Sequence, residues 1–443
     1  MADPQLLSAR PPQGWFRPLM LGLLTLFLAT NAVAYDYAFP IDNPYLATIA
    51  GTPEALIAEV PEKRIRERRL NVRSAHARRT EVPRCLPFPD RLEYSLLAQK
   101  QKSAPLTFLI AGTGSDHRAG SVALLMRALY GAGHHVVGLP SPTHPRFVAS
   151  ASSSGVPGDQ RRDAEDLYRV MAQIRRELEA DGIQASSFRL AGYSLGGLNA
   201  AFVAALDARQ RQFDFHRTLL INAPVSLYSS ISKLDRFLDN VPGGVDNLDR
   251  LFNEVLERLG EAYQRSSNVE FTDELIYSVF KDAPPTQEAM AALIGAAFRF
   301  AAMNLSFTAD LVSDYGFLKP RGLELGARVD LSPYLAVALR VGLTDYFHEF
   351  FWPEQQRLGN TGELDRFAYA DQQGLAPLSD FLRGNPRIYA THNADDVILE
   401  AGEIAFFKPV FGSRVQIYPN GGHLGNLSER SVVEHIVTVL SGS

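Results

Sequence analysis

The residues Gly192-Tyr193-Ser194-Leu195-Gly196-Gly197 contain the pattern Gly-x-Ser-x-Gly. A chain of this length yields about 0.2 such matches by chance, so the pattern takes its meaning from its surroundings. An apolar run, FRLA, precedes it and an alanine-rich stretch follows. A serine between a strand and a helix sits on a tight turn that projects its hydroxyl outward. Flanking glycines let strand and helix approach without Cβ clashes. A serine hydroxyl is a weak nucleophile and needs a base. Of the ten histidines, His423 fits best, in YPNGGHLG between a strand pattern and the last helix pattern. His134 and His135 precede a strand pattern, His216 precedes another, and His435 lies inside the final helix pattern. An imidazole base needs a carboxylate to fix its tautomer. THNADDVIL at 391–399 offers Asp396, four residues after His392, with Asp395 as the alternative. Developing oxyanion charge requires backbone donors. The N–H of Leu195 is one, and the glycine-rich loop Ala111-Gly112-Thr113-Gly114-Ser115 supplies the other, from Thr113 or, failing that, Gly114. The chemistry so encoded is acyl transfer through a covalent serine ester.

The surrounding pattern supplies positions for these groups. Apolar runs at 106–111, 135–139, 188–191 and 218–222 read as strands. Helical patterns cover 121–130, 162–179 and 198–206, the second with Leu167, Val170, Met171, Ile174 and Leu178 on one face. This alternation predicts βαβ units and a mostly parallel sheet. From 226 to 383 it stops, and the stretch reads as helical, most clearly at 246–265 and 287–305. The latter is apolar nearly all round but short for a membrane span, so a buried helix is expected. Strand patterns return at 386–390 and 414–418, and a last helix is expected at 428–440.

The chain has 443 residues, 46% hydrophobic and 21% charged, with a formal net charge of −5. It can bury a large core, and its charge balance disfavours a nucleic-acid partner. The single cysteine, Cys85, excludes an intramolecular disulfide and a multi-cysteine metal centre. The P-loop ending is absent, which disfavours a nucleotide site. No cofactor or metal is expected.

At the N-terminus, Arg10 and Arg17 precede the apolar run LMLGLLTLFLAT and the small residues Ala32-Val33-Ala34. This is the layout of an export signal cleaved after Ala34, with an uncleaved anchor or a buried helix as alternatives. The expected location is periplasmic or cell-envelope. Residues 62–84 hold nine Lys/Arg against Glu62, Glu67 and Glu81. They read as a solvated helix or as a patch for an anionic membrane surface. Asn-x-Ser triplets occur at Asn304 and Asn426. A glycan at Asn426 would crowd His423, which favours a bacterial-type route.

The order Ser194, Asp396, His423, with the elbow at 192–196 and the loop at 112–114, resembles the α/β-hydrolase superfamily. The likeness spans about 86–225 and 384–443. It implies an eight-stranded, mostly parallel, doubly wound sheet with a helical cap inserted after strand six, where 226–383 falls. Residues 1–34 then form the signal or anchor, and 35–85 a basic arm with no counterpart. Ala111 stands where many lipases and esterases of the superfamily carry a histidine. The expected activity is cleavage of a carboxylic ester or lipid-like acyl bond. A peptidase, thioesterase or acyltransferase on the same residues is an alternative, as is a non-catalytic envelope binding protein. The expected partner is a small-molecule or lipid acyl substrate.

Overall fold

A computed structural model of the chain describes residues 37–72, 82–87, 91–239 and 286–442. The export signal expected at 1–34, the cleavage expected after Ala34 and the helix expected at 246–265 lie outside the described residues. Eight strands form one sheet: β1 (Arg66–Leu70), β2 (Leu92–Leu97), β3 (Ser103–Ile110), β4 (His135–Leu139), β5 (Gln184–Tyr193), β6 (Arg217–Ile221), β7 (Ile388–Asn393) and β8 (Val415–Tyr418). Their spatial order is β1-β2-β4-β3-β5-β6-β7-β8. The β1–β2 and β2–β4 pairings are antiparallel, and β4, β3 and β5 to β8 run parallel.

Period-two patterning splits the strand side chains between two cores. Leu106, Phe108 and Ile110 of β3, with Leu220 of β6, pack under helices α4 (Gln160–Ala180) and α5 (Leu195–Gln210). Leu109, Leu219 and Ile221 face the other way, onto α2 (Gly120–Gly131) and the final helix Arg430–Ser441. Asp159 caps α4 by accepting from the N–H groups of Arg161 and Arg162.

The basic stretch was expected as a solvated helix or a membrane-facing patch, and within it Arg66–Leu70 form an edge strand, not a helix. Arg68 pairs with Asp181 at 2.6 Å and Arg69 with Glu93 at 2.8 Å. Charged side chains on an edge strand discourage further strand pairing, and β1 covers β2. β2 escaped the sequence reading: it holds Glu93 and Ser95 among its apolar residues, yet all six positions are buried, Glu93 through its pairs with Arg69 and Arg146.

Between β6 and β7 the described residues form helices and no strand. These include α6 (Leu227–Arg236), α7 (Gln287–Ser313) and a continuous run from Leu343 to Arg357 with a π-helical turn at Phe347–Phe351. They enclose an apolar cluster of their own around Phe300, Phe307, Tyr346 and Phe350. α7 is the one helix among the described residues long and apolar enough to cross a membrane. However, 67% of its most apolar window is buried in protein, as a core helix requires. Thr286 caps it, accepting from Ala289 N–H at 3.2 Å. The first described helix, α1 (Pro44–Ala50), is capped by Asn43, with Pro44 in its first turn. α1 lies in the segment for which the sequence offered no counterpart.

Candidate active site

Ser194 joins β5 to α5 with φ 54° and ψ −129°, a region costly for any residue with a side chain. Its glycine neighbours are required by contact. A Cβ on Gly192 would lie 2.0 Å from the Gly196 carbonyl oxygen, and one on Gly196 would lie 2.3 Å from the Ile110 carbonyl oxygen. Both obstructing atoms are backbone and cannot swing aside. Gly192→Ala is therefore expected to destabilise the fold by about 1–3 kcal/mol or more. It should also displace Ser194, measurable as a lower melting temperature with loss of active-serine labelling. Unchanged melting and labelling would refute this account of the turn.

The structure brings Ser194, His423 and Asp396 together in one line. Ser194 Oγ lies 2.9 Å from His423 Nε2. His423 Nδ1 lies 3.0 and 3.1 Å from the two oxygens of Asp396. All three residues are buried. Asp396 also accepts from Asn222 Nδ2 at 2.8 Å and from Ile398 N–H at 3.1 Å. Burial alone would raise its carboxyl, but His423, His392 and the Asn222 bond together hold it below the ordinary carboxylate value. With Asp396 accepting from Nδ1–H, Nε2 is left to accept the Ser194 proton.

Of the two acids, Asp395 lies off this line. Its oxygens accept from Gly421 N–H at 3.2 Å and Gly422 N–H at 2.9 Å, so it ties down the loop that carries His423. Burial, the largest influence, raises its carboxyl. His392 is fully buried between Asn393 and the Ala223 carbonyl, and burial pushes its imidazole down toward the neutral form. Three of the other histidines are engaged elsewhere. His134 bonds Thr107 and Ser441, His135 accepts from Gln99 N–H, and His435 stands edge-on to Tyr418.

Among the described residues, the N–H groups of Leu195 and Thr113 have no protein acceptor. Leu195 opens α5, where no intrahelical partner exists. The alternative donor, Gly114, is already committed to Thr143 Oγ1 at 2.9 Å. Thr113 and Leu195 line one end of an apolar pocket whose walls include Leu227, Ile231, Leu305, Phe347 and Phe351. Ala111 is buried in the sheet core, so no imidazole occupies its place.

Behind this loop, Asp116, His117, His144, Arg146 and Glu93 form a buried charged cluster. Burial brings His117 and His144 down to about 4, while their charge and that of Arg146 keep Asp116 at about 2 against the cost of burial. The two imidazoles are therefore neutral near pH 7, and the cluster is a buttress for the loops after β3 and β4.

Three supporting groups were missed from sequence: Asn222, Thr143 and the α1 segment. Asn222 carried a signal, since it ends β6 beside β7 and adopts φ 46°, a conformation asparagine tolerates. Thr143 and α1 gave none, because their contacts are long-range. Gly422 and Gly425 make room for α1: added Cβ atoms would lie 2.2 Å from the Pro44 oxygen and 2.0 Å from the Ala47 oxygen. Both Asn-x-Ser asparagines are buried. Asn426 is locked to Asn393 in reciprocal 2.8 Å bonds, so neither presents an acceptor for a glycan in the folded chain.

The parallel sheet, the serine after β5, the acid after β7, the histidine after β8 and the helical insertion after β6 define an α/β-hydrolase fold. No protein-family model matches the chain, and no curated protein matches it in sequence. Among solved structures it is similar to an esterase from Pyrobaculum calidifontis at 14% identity, covering 86% of each chain with a TM-score of 0.40. It is also similar to the thioesterase domain from the curacin biosynthetic pathway, at 10% identity over 85% of this chain and 99% of that one, TM-score 0.36. A third is one of the epoxide hydrolases of the α/β-hydrolase superfamily from hot-environment metagenomes, at 12% identity over 82% and 100%, TM-score 0.37. These likenesses are of fold.

Proposed function

We propose that the protein is a serine hydrolase cleaving a carboxylic ester with an apolar acyl group. The observation that carries this reading is the Ser194–His423–Asp396 contact line ending beside two unpaired N–H groups, at one end of an apolar pocket. Ser194 Oγ attacks the carbonyl carbon while His423 Nε2 takes its proton. Asp396 keeps Nδ1 protonated and stabilises the imidazolium. The oxyanion accepts from the N–H groups of Leu195 and Thr113. His423 then delivers the proton to the leaving alkoxide, which departs as an alcohol. A water molecule, deprotonated by His423, attacks the acyl-serine and releases the acid and free Ser194. This cycle needs no metal or organic cofactor. A thioester or amide could in principle use the same atoms, and competition between matched oxygen, sulfur and nitrogen leaving groups separates these.

The pocket gives the acyl preference. Its lining is almost wholly apolar, which favours an extended or bulky hydrocarbon acyl chain over acetyl. Each methylene buried adds about 0.8 kcal/mol, so kcat/KM is expected to rise about fourfold per methylene until the pocket is filled. Ile231→Trp, on the wall formed by α6, is expected to lower kcat/KM for the best long ester at least tenfold and to leave acetyl esters unchanged. A flat chain-length profile in the wild type would refute the acyl assignment. The primary test is labelling by a fluorescent fluorophosphonate, expected in the wild type and absent in Ser194→Ala. A folded wild type that takes no label would favour a non-catalytic role.

The segment from Arg10 to Ala34 supports export to the periplasm or cell envelope, with cleavage after Ala34. N-terminal sequencing of protein recovered from that compartment tests this, and an intact Met1 there would instead favour an anchor.

A further inference from the structure

We propose that residues Tyr37–Ala58, ahead of the hydrolase core, are a working part of the active site: α1 clamps the loop that carries His423, and Thr48 positions the base. The inference rests on the serine-hydrolase reading above.

Several independent contacts support it. The backbone N–H of His423 donates to Thr48 Oγ1 at 2.9 Å. The Thr48 hydroxyl donates its own proton to the Pro44 carbonyl at 2.6 Å, which fixes the direction of the oxygen lone pair. Tyr37 Oη donates to the Asn420 carbonyl at 2.5 Å and accepts from Asn426 Nδ2 at 2.9 Å. Thr52 Oγ1 donates to the Gly425 carbonyl at 2.9 Å, and Ala58 N–H to the Ser428 carbonyl at 2.9 Å. The segment is thus stitched along the whole loop, before, at and after the histidine.

The loop needs such support. Gly421, Gly422 and Leu424 all have positive φ, and for Leu424 that conformation is strained. A strained loop keeps its shape only where its surroundings over-determine it. Within the loop itself the backbone bonds are Gly425 N–H to the Gly421 carbonyl, Leu427 N–H to the Leu424 carbonyl and Glu429 N–H to the Asn426 carbonyl, and none holds the His423 amide. Glycines at 422 and 425 let α1 press directly on this backbone, and alanine at either site would collide with α1 carbonyls. On its other side α1 touches α7 of the insertion, and Tyr45 meets Phe237 edge-on at 5.7 Å. α1 therefore lies between the base loop and the helices that roof the pocket. Cleavage after Ala34 would leave Tyr37 as the third residue, so the proposed processing spares the clamp.

The test compares Thr48→Val, Thr48→Ser and Tyr37→Phe in the full chain. Valine keeps the shape of threonine but leaves the His423 N–H without an acceptor. A displacement of reacting groups by about 1 Å can cost about a hundredfold. Thr48→Val is therefore expected to lower kcat and the rate of fluorophosphonate labelling by tenfold to a hundredfold with KM unchanged, while Thr48→Ser retains wild-type values. Tyr37→Phe keeps the ring packed against Tyr418, centroids 4.7 Å apart, and serves if Thr48→Val folds poorly, with a fall in kcat again expected. Amide hydrogen exchange over 420–429 should be faster in both weakened variants. Wild-type kcat and labelling in Thr48→Val and Tyr37→Phe, whatever their melting temperatures, would overturn the proposal and leave the hydrolase reading intact. Should the folded wild type neither label nor hydrolyse, the hydrolase reading fails. Unchanged exchange in the variants would then sink the clamp as well, and faster exchange would uphold it.

Discussion

Replacing Ser194 by alanine is expected to lower kcat about a millionfold, to background, and to abolish fluorophosphonate labelling without changing the melting temperature downward. The magnitude follows from loss of the covalent route: removing the nucleophile of a serine triad costs about 2 × 10⁶ in turnover. Stability should hold, because alanine accepts the same backbone demands no worse than serine and the lost hydroxyl makes one hydrogen bond, to His423. Relief of side-chain crowding at a positive φ is small, since Cβ remains. Residual turnover from the Leu195 and Thr113 donors can persist, as such donors alone retain about 10³–10⁴ over water. Turnover within tenfold of the wild type would exclude an acyl-enzyme at Ser194 and with it the mechanism proposed above.

The second large effect is expected at Asp396, and it doubles as a choice between neighbours. Three groups converge on the two Asp396 oxygens: Asn222 Nδ2, Ile398 N–H and His423 Nδ1. Ile398 N–H can only donate, and Asn222 presents its NH2. In Asp396→Asn the new amide brings two protons of its own, and with its NH2 facing Nδ1, His423 must become the acceptor. It does so by moving its proton to Nε2, which then faces Ser194 Oγ and can no longer take the serine proton. A tautomer error of this kind costs about 10⁴ in kcat, with KM little changed. Asp395→Asn is expected to act differently. Its oxygens hold the amides of Gly421 and Gly422, and an asparagine oxygen can still accept from one of them. A fall of about tenfold or less is expected there, accompanied by a lower melting temperature. Steady-state kinetics on both variants decides the matter, and a larger loss at 395 than at 396 would reverse the assignment of the acid.

The parts of this protein legible in its sequence are those set by short-range rules. The β3, β5 and β6 runs, the amphipathic face of α4 and the elbow at Ser194 each announce themselves within about twenty residues. Apolar periodicity and glycine placement are local consequences of strand, helix and turn geometry. Chain order then suggested which acid and which histidine belong with Ser194. Sequence context preferred Asp396 to Asp395 and Thr113 to Gly114, but the physical reason for each lies in the fold. Past the end of β7, Asp396 turns into line with His423 and Asp395 toward the glycine amides, and Thr143, from the loop after β4, occupies the Gly114 N–H. β1 and β2 stayed hidden because both carry polar or charged residues. β1 is charged because it is an edge, and β2 buries Glu93 and Ser95, whose partners Arg69, Arg146 and His117 come from other parts of the chain. The α1 clamp is the plainest case of what tertiary structure alone decides. Its residues lie more than 350 positions from His423 in sequence. No local pattern records a contact that exists only once the sheet has brought the two ends of the chain together.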